Sequence, residues 1–102
     1  MAGTIALAPQ GRWSVAGWLF DWTVDFLAER VTEPQLRSDL REIVSQRLGW
    51  LGLGDYGPEA ESELRTLLDQ RLVDAAEAAF APTMRQRDEA VDLLRQLVTA
   101  AG

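Results

Sequence analysis

The sequence predicts an all-α fold, a compact bundle of four helices preceded by an extended N-terminal arm. Apolar residues recur at helical spacing in four segments, and the breaks between those segments contain proline or glycine beside residues that cap helices. A chain of 102 residues is the size of one domain. We therefore expect a single helical domain over residues 1–102, with an arm at 1–12 and helices at about 14–31, 33–48, 58–80 and 83–100.

The first helix has an unusual distribution of apolar residues. In front of it, Pro9 favours extended backbone in the arm, where Thr4–Leu7 could form a short strand but has no evident partner strand. Ser14 is a suitable N-cap for the helix. Its apolar residues fall on two arcs, Val15, Trp18, Leu19, Trp22 and Phe26 on one side and Phe20, Val24, Leu27 and Val31 on another. A helix that is apolar on two sides is central in a bundle or shared with a partner.

Capping patterns mark the starts of two later helices. Thr32-Glu-Pro-Gln35 and Thr83-Met-Arg-Gln86 both match the capping box, and a proline opens the third helix. The apolar stripe of the second helix extends to Leu48, and Gly49 is suited to end it. The linker 49–57 combines four glycines with large apolar side chains, so we expect it to pack against the bundle. Short connections between helices 1 and 2 and between helices 3 and 4 favour antiparallel hairpins.

The composition excludes several kinds of chemistry. The chain has no cysteine, histidine or lysine, and its ten basic residues are all arginines. It therefore has no thiol nucleophile, disulfide or histidine general base, and no lysine for Schiff-base or P-loop chemistry. Its serines have no histidine or lysine to activate them. We expect a non-catalytic protein with no cofactor and no bound metal.

The acidic charge balance disfavours anionic partners. Sixteen acids against ten arginines give a net charge of −6, which disfavours binding to nucleic acid or to an anionic membrane. The arm lacks the charged and apolar regions of a signal peptide. The most apolar segment, Trp13–Leu27, is interrupted by Asp21 and Asp25, so we expect no membrane span. We predict a soluble, cytoplasmic protein.

One glycine pattern spells a nucleotide-binding motif. Gly52-Leu-Gly54-Asp-Tyr-Gly57 matches GxGxxG, which binds a dinucleotide when it follows a parallel strand. The predicted helices supply no such strand, and Asp55 would repel phosphates. We interpret the pattern as a helix C-cap followed by a loop.

A second pattern consists of paired carboxylates. Asp74 and Glu77 on the third helix, and Glu89 and Asp92 on the fourth, are each spaced i, i+3, as in sites that hold Mg²⁺ for phosphate chemistry. In these four residues the chain resembles the all-α NTP pyrophosphohydrolases, and the resemblance implies a Mg²⁺-dependent nucleotide hydrolase as an alternative function. Both pairs fall on polar helix sides, which is typical of solvated carboxylates.

The strongest functional pattern lies on the first helix. Asp21, Asp25 and Glu29 are spaced i, i+4, i+8 and form one acidic row, flanked by Trp18 and Trp22. Indoles provide rigid contact area and carboxylates provide steering, a combination that suits a basic protein partner. The alternative is that the tryptophans belong to the core and the acids pair with arginines. As secondary partner-binding residues we expect Trp13, Trp50 and Tyr56.

These patterns predict a small acidic helical module that binds a larger, basic protein through the first helix. It would act as an inhibitor, in the manner of an immunity protein, or as an adaptor subunit. The comparison with immunity proteins uses size, acidity and helicity alone. A second hypothesis is a homo-oligomer whose interface is the surplus apolar arc of the first helix.

Overall fold

The computed structural model describes residues 2–7 and 11–101, which form an α+β fold. The elements in chain order are β1 Ala2–Ala6, β2 Arg12–Ala16, α1 Gly17–Arg30, α2 Pro34–Ser45, β3 Trp50–Gly52, a 3-10 turn at Leu53–Tyr56, α3 Pro58–Ala79 and α4 Arg87–Ala101. The prediction of an all-α fold is wrong. Parts of the expected arm, of the expected first helix and of the glycine-rich linker are strands.

The three strands form one mixed sheet in the order β2-β1-β3. β1 pairs antiparallel with β2, with Ile5 opposite Trp13, and parallel with β3, with Ile5 beside Leu51. The expected arm therefore contains the central strand of the sheet. Of that arm, residues 1 and 8–10 lie outside the described residues.

The helices cover one face of the sheet. Because successive strand residues point to opposite faces, Ile5, Trp13 and Leu51 are buried together against the helices. Thr4 and Ser14 lie on the other face, where their hydroxyl groups form a hydrogen bond of 2.9 Å. The inner face thus joins the core, while the outer face carries Thr4, Ser14 and the exposed Trp50.

α1 is the central helix. Phe20, Val24 and Leu27 of its second apolar arc are completely buried, and Val31 just beyond it is 1% exposed. α1 contacts β1, β2, α2 and α3. The second arc is therefore covered by the chain itself.

Glu33, rather than the expected Thr32, caps α2. The two carboxylate oxygens of Glu33 accept hydrogen bonds from the backbone N–H groups of Gln35 at 3.1 Å and Leu36 at 2.6 Å. Thr32 instead donates its N–H and its hydroxyl to the carboxylate of Glu63 in α3, at 3.2 and 2.9 Å. Thr32 thus ties the connection between α1 and α2 to the first half of α3.

Each helical hairpin is closed by an arginine from its second helix. Arg37 of α2 donates to the carbonyls of Ala28 and Val31 at the end of α1, at 3.2 and 2.7 Å. Arg87 donates to the carbonyl of Phe80 at 3.0 Å and to a second carbonyl in the last turn of α3. α4 begins at Arg87 rather than at the expected residue 83, because turns occupy the preceding residues.

Within residues 2–7 and 11–101, no helix has the length and apolar character needed to cross a membrane.

Candidate partner-binding groove

Four of the five residues predicted on the first helix line one open groove of about 1140 Å³. Trp18, Asp21, Trp22 and Asp25 form one wall. The remaining lining residues are Arg47, Leu48 and Gly49 on the α2–β3 connection, Ala2 and Gly3 of β1, and Ala16, Gly17 and Phe20. We call this feature the α1 groove.

Helical periodicity brings the four side chains together. Positions i, i+3, i+4 and i+7 lie on one face of an α-helix. The second apolar arc of α1 is buried, as are Leu19 and Phe26 of the first arc, so the face with Trp18 and Trp22 is the one that remains accessible.

An aromatic cluster holds the two indoles in place. The Trp18 ring meets Phe80, at the end of α3, edge-on with centroids 5.9 Å apart. The Trp22 ring stacks on Phe26 at 6.0 Å and packs against Phe80 at 4.9 Å. Trp18 is nevertheless 44% exposed. Within the described chain neither indole N–H of this pair donates a hydrogen bond, so both donors are free for a partner.

The opposite wall contains an exposed leucine that the sequence pattern misplaced. We expected Leu48 to continue the buried stripe of helix 2, but α2 ends at Ser45 and Leu48 is 59% exposed. Arg47 and Gly49 adopt positive φ values of 51° and 67°, which turn the chain toward β3. Of the three large apolar side chains exposed in the described chain, two therefore line the α1 groove: Trp18 and Leu48.

The carboxylates of the groove lack compensating partners. Neither Asp21 nor Asp25 makes an ion pair within the described residues. Partial burial raises the pKa of Asp25, Glu29 and Asp21 raise it further, and only Arg41 acts in the opposite direction. The charged residues that line the α1 groove are thus these two acids and one arginine, Arg47 on the far wall.

Glu29, the fifth predicted residue, lies beyond the groove. Its carboxylate is 3.7 Å from the guanidinium of Arg30, and that guanidinium stacks 4.2 Å above the ring of Phe26. Of the acidic row predicted from the sequence, Glu29 forms an ion pair, and Asp21 and Asp25 form none within the described residues.

The three secondary residues lie in three other environments. Trp13 is 5% exposed in the core, where its Nε1–H donates to the carbonyl of Leu93 at 2.8 Å. Trp50 is 43% exposed on the outer face of the sheet, with the guanidinium of Arg12 5.5 Å from its ring. None of the three lines the α1 groove.

Tyr56 lies in a second hollow, of about 430 Å³, between α2 and α3. Burial, together with the charges of Asp39 and Asp55, raises the pKa of its phenol. Two of the acids around it are already engaged: Glu33 caps α2, and Glu63 binds Thr32. This hollow is therefore separate from the α1 groove, and two of its acids form hydrogen bonds that stabilise the helical hairpins.

The paired carboxylates of α3 and α4 do not assemble into a cation site. Arg95 lies between Glu77 and Asp92, with N–O distances of 3.5 and 3.3 Å. Across the described part of the chain, no group of three or more acids could hold a metal ion.

The glycine pattern differs from our expectation in one respect. Gly52 is the last residue of β3, a strand that is parallel to β1. However, Leu53–Tyr56 form a 3-10 turn, and a Cβ at Gly52 would collide with the carboxylate of Asp55. A carboxylate against the first glycine would repel the pyrophosphate that the motif exists to bind.

In comparison with known proteins, the chain matches no family model, no curated protein and no solved structure.

Proposed function

We propose that this protein is a non-catalytic interaction module whose α1 groove binds a segment of a larger, basic protein. The observation that carries the proposal is an open groove with exposed Trp18 and Leu48 on opposite walls. Two carboxylates without an ion-pair partner in the described chain, Asp21 and Asp25, lie on the same wall as Trp18. Such a module would inhibit its partner or serve as an adaptor subunit, and either role begins with this binding step.

The dimensions of the groove support a peptide segment as its occupant. Pockets for small molecules are enclosed and usually measure about 300–1000 Å³. The α1 groove is larger than this range and is open. A segment of protein chain would fill it better than a metabolite.

The two kinds of wall residue would have different roles. Partly exposed indoles held against Phe80 bury a large area at little conformational entropy, so Trp18 and Trp22 would provide most of the affinity. The carboxylates would favour basic partners and accelerate their approach, an effect that the net charge of −6 strengthens.

The homo-oligomer hypothesis stays a prediction. Its interface was to be the surplus apolar arc of the first helix, and Phe20, Val24, Leu27 and Val31 of the second arc are buried within the chain. A second copy would therefore have to contact the first arc, where Trp18 is 44% exposed.

The test is selection from a displayed library of random dodecapeptides on the native chain. We expect the enriched peptides to lose binding to Trp18→Ser and to the double variant Asp21→Ser/Asp25→Ser. Trp50→Ser is the matched control, because Trp50 is as exposed as Trp18 but lies outside the groove. Circular dichroism establishes that each variant is folded. Peptides that bind all variants equally, or a library that yields no groove-dependent peptide, would refute the proposal.

A further inference from the structure

α1 repeats one short pattern three times. An aromatic residue and an acid three positions later recur in consecutive tetrads, WLFD at 18–21, WTVD at 22–25 and FLAE at 26–29. Four residues advance about 6 Å along a helix, little more than one turn. The helix thus presents three neighbouring aromatic–carboxylate pairs along one side.

The third tetrad already holds an arginine. The guanidinium of Arg30 lies 4.2 Å from the ring centroid of Phe26, and its Nη1 is 3.7 Å from Oε2 of Glu29. The same Nη1 donates to the carbonyl of Phe26 at 3.2 Å. The chain itself therefore displays which ligand chemistry this pattern accommodates: a guanidinium stacked on the ring and facing the acid.

In the first two tetrads, no arginine of the described chain has this position. Arg41 acts on Asp25 only at a distance, and Arg47 stands on the far wall of the groove. Neither arginine makes an ion pair with Asp21 or Asp25, and none of the described arginines stacks on Trp18 or Trp22.

We infer that the first two tetrads bind arginine side chains of the partner in the manner that the third binds Arg30. This inference rests on the proposed function and specifies its partner: a segment that carries two arginines on one side, about 6 Å apart. Residues i and i+2 of an extended strand have nearly this spacing, at about 3.3 Å per residue.

Arginine fits these tetrads better than lysine. A guanidinium is planar, stacks on aromatic faces, offers a fork of donors to a carboxylate and is less strongly hydrated than an ammonium. The chain contains a second contact between a guanidinium and an aromatic ring, where Arg12 lies over Trp50 on the outer face of the sheet.

The experiment uses the ¹⁵N-labelled native chain and three synthetic peptides, acetyl-Arg-Ala-Arg-amide and its lysine and citrulline analogues. We expect the arginine peptide to shift the indole N–H signals of Trp18 and Trp22 and to leave those of Trp13 and Trp50 in place. Its affinity should exceed that of the lysine peptide by about tenfold, and citrulline, which is uncharged, should not bind.

Variants identify the carboxylates that bind the peptide. We expect Asp21→Ser/Asp25→Ser to weaken binding of the arginine peptide by about tenfold or more. The matched control is Asp69→Ser/Asp74→Ser, which removes the same charge from exposed positions of α3. Unchanged indole dispersion in the spectra establishes that both variants are folded.

The outcomes separate this inference from the proposed function. Equal binding of the arginine and lysine peptides would overturn the arginine specificity. If none of the three peptides shifts Trp18 or Trp22 while groove-dependent library peptides exist, this inference is wrong and the proposed function stands. If no library peptide depends on the groove either, both fail.

Discussion

The indole of Trp13 joins β2 to α4, because it is buried and its Nε1–H donates to the carbonyl of Leu93. We expect Trp13→Phe to lower the free energy of unfolding by about 1–3 kcal/mol through the lost hydrogen bond and the smaller ring. Urea denaturation followed by circular dichroism measures the change. Trp50→Phe, at an exposed position, should stay within about 0.5 kcal/mol of wild type. Equal effects of the two substitutions would contradict the core position of Trp13.

Asp25 makes the folded state less stable at neutral pH. Partial burial, followed by the charge of Glu29, raises its pKa in the folded chain. An acid whose pKa is raised in the folded chain lowers the free energy of unfolding when it is ionised. This destabilisation disappears as the pH falls below the pKa that the acid has in the unfolded chain. We expect Asp25→Asn to melt at a higher temperature than wild type near pH 7.

The difference between Asp25→Asn and wild type should vanish near pH 3, where both side chains are neutral. Thermal melts across this range measure it. Asp69→Asn serves as the control because Asp69 is an exposed acid on α3. A variant at position 25 that melts below wild type near pH 7 would show that the ionised carboxylate stabilises the fold.

Individual residues differ in how well the sequence predicts their roles. Trp18, Asp21, Trp22 and Asp25 could be grouped because the 3.6-residue period alone puts them on one helix face. Trp13 could not be separated from them, since its burial depends on its position in a strand that pairs with β1. Leu48 is exposed because α2 ends at Ser45. The apolar spacing in the sequence continues past this end, so it could not predict the exposure.

Among the secondary-structure elements, the C-terminal end of α3 is capped by a side chain of α4. Arg87 donates from Nε to the carbonyl of Phe80 and from Nη2 to that of Glu77, each at 3.0 Å. We expect Arg87→Lys to lower the free energy of unfolding by about 1–2 kcal/mol, because an ammonium cannot reproduce the planar fork. Chemical denaturation measures the loss. Arg71→Lys, at an exposed position of α3, should have almost no effect, and a similar loss at both positions would argue against the cap.

β1 packs so closely on α1 that one of its positions requires glycine. A Cβ at Gly3 would collide with the ring of Phe20, which is completely buried. We expect Gly3→Ala to destabilise the protein by about 1–3 kcal/mol by forcing this ring to move. Thr4→Ala, on the outer face, should cost much less. The comparison is made by urea denaturation, and a neutral Gly3→Ala would mean that β1 does not press on α1 there.

The four helices were predictable and the sheet was not. Long apolar periodicity identified each helix to within a few residues, but three of the starts lie later than expected. Strand β2 occupies the expected start of α1, Glu33 caps α2, and turns precede Arg87 at the start of α4. The strands have only five, five and three residues. The alternation of Trp13 and Val15 with polar neighbours was the available signal, but Ser14 also matched a helix cap. The pairing of β1 with β3 is long-range and leaves no local pattern.

At the scale of the whole molecule, the net charge should add a salt-dependent contribution to the binding that the indoles provide. With a net charge of −6, the chain attracts a cationic peptide over the Debye length, about 10 Å at 0.1 M salt. We expect affinity for acetyl-Arg-Ala-Arg-amide to fall several-fold between about 0.05 and 0.5 M salt, as measured by fluorescence titration. Asp21→Ser/Asp25→Ser should flatten this dependence, and Trp18→Ser should weaken binding at every salt concentration. Salt-independent binding would contradict the electrostatic contribution.

The parallel pairing of β1 with β3 also bears on how the chain folds during synthesis. Thr4 pairs with Trp50, 46 positions later, so the central strand is translated long before its second neighbour. At about 5–20 residues per second, this interval is on the order of 2 to 9 s. During it, β1 can form only the hairpin with β2, and one edge of that hairpin stays open until residue 52 has emerged. The nascent chain is thus most prone to pair with the wrong strand in the seconds before β3 arrives.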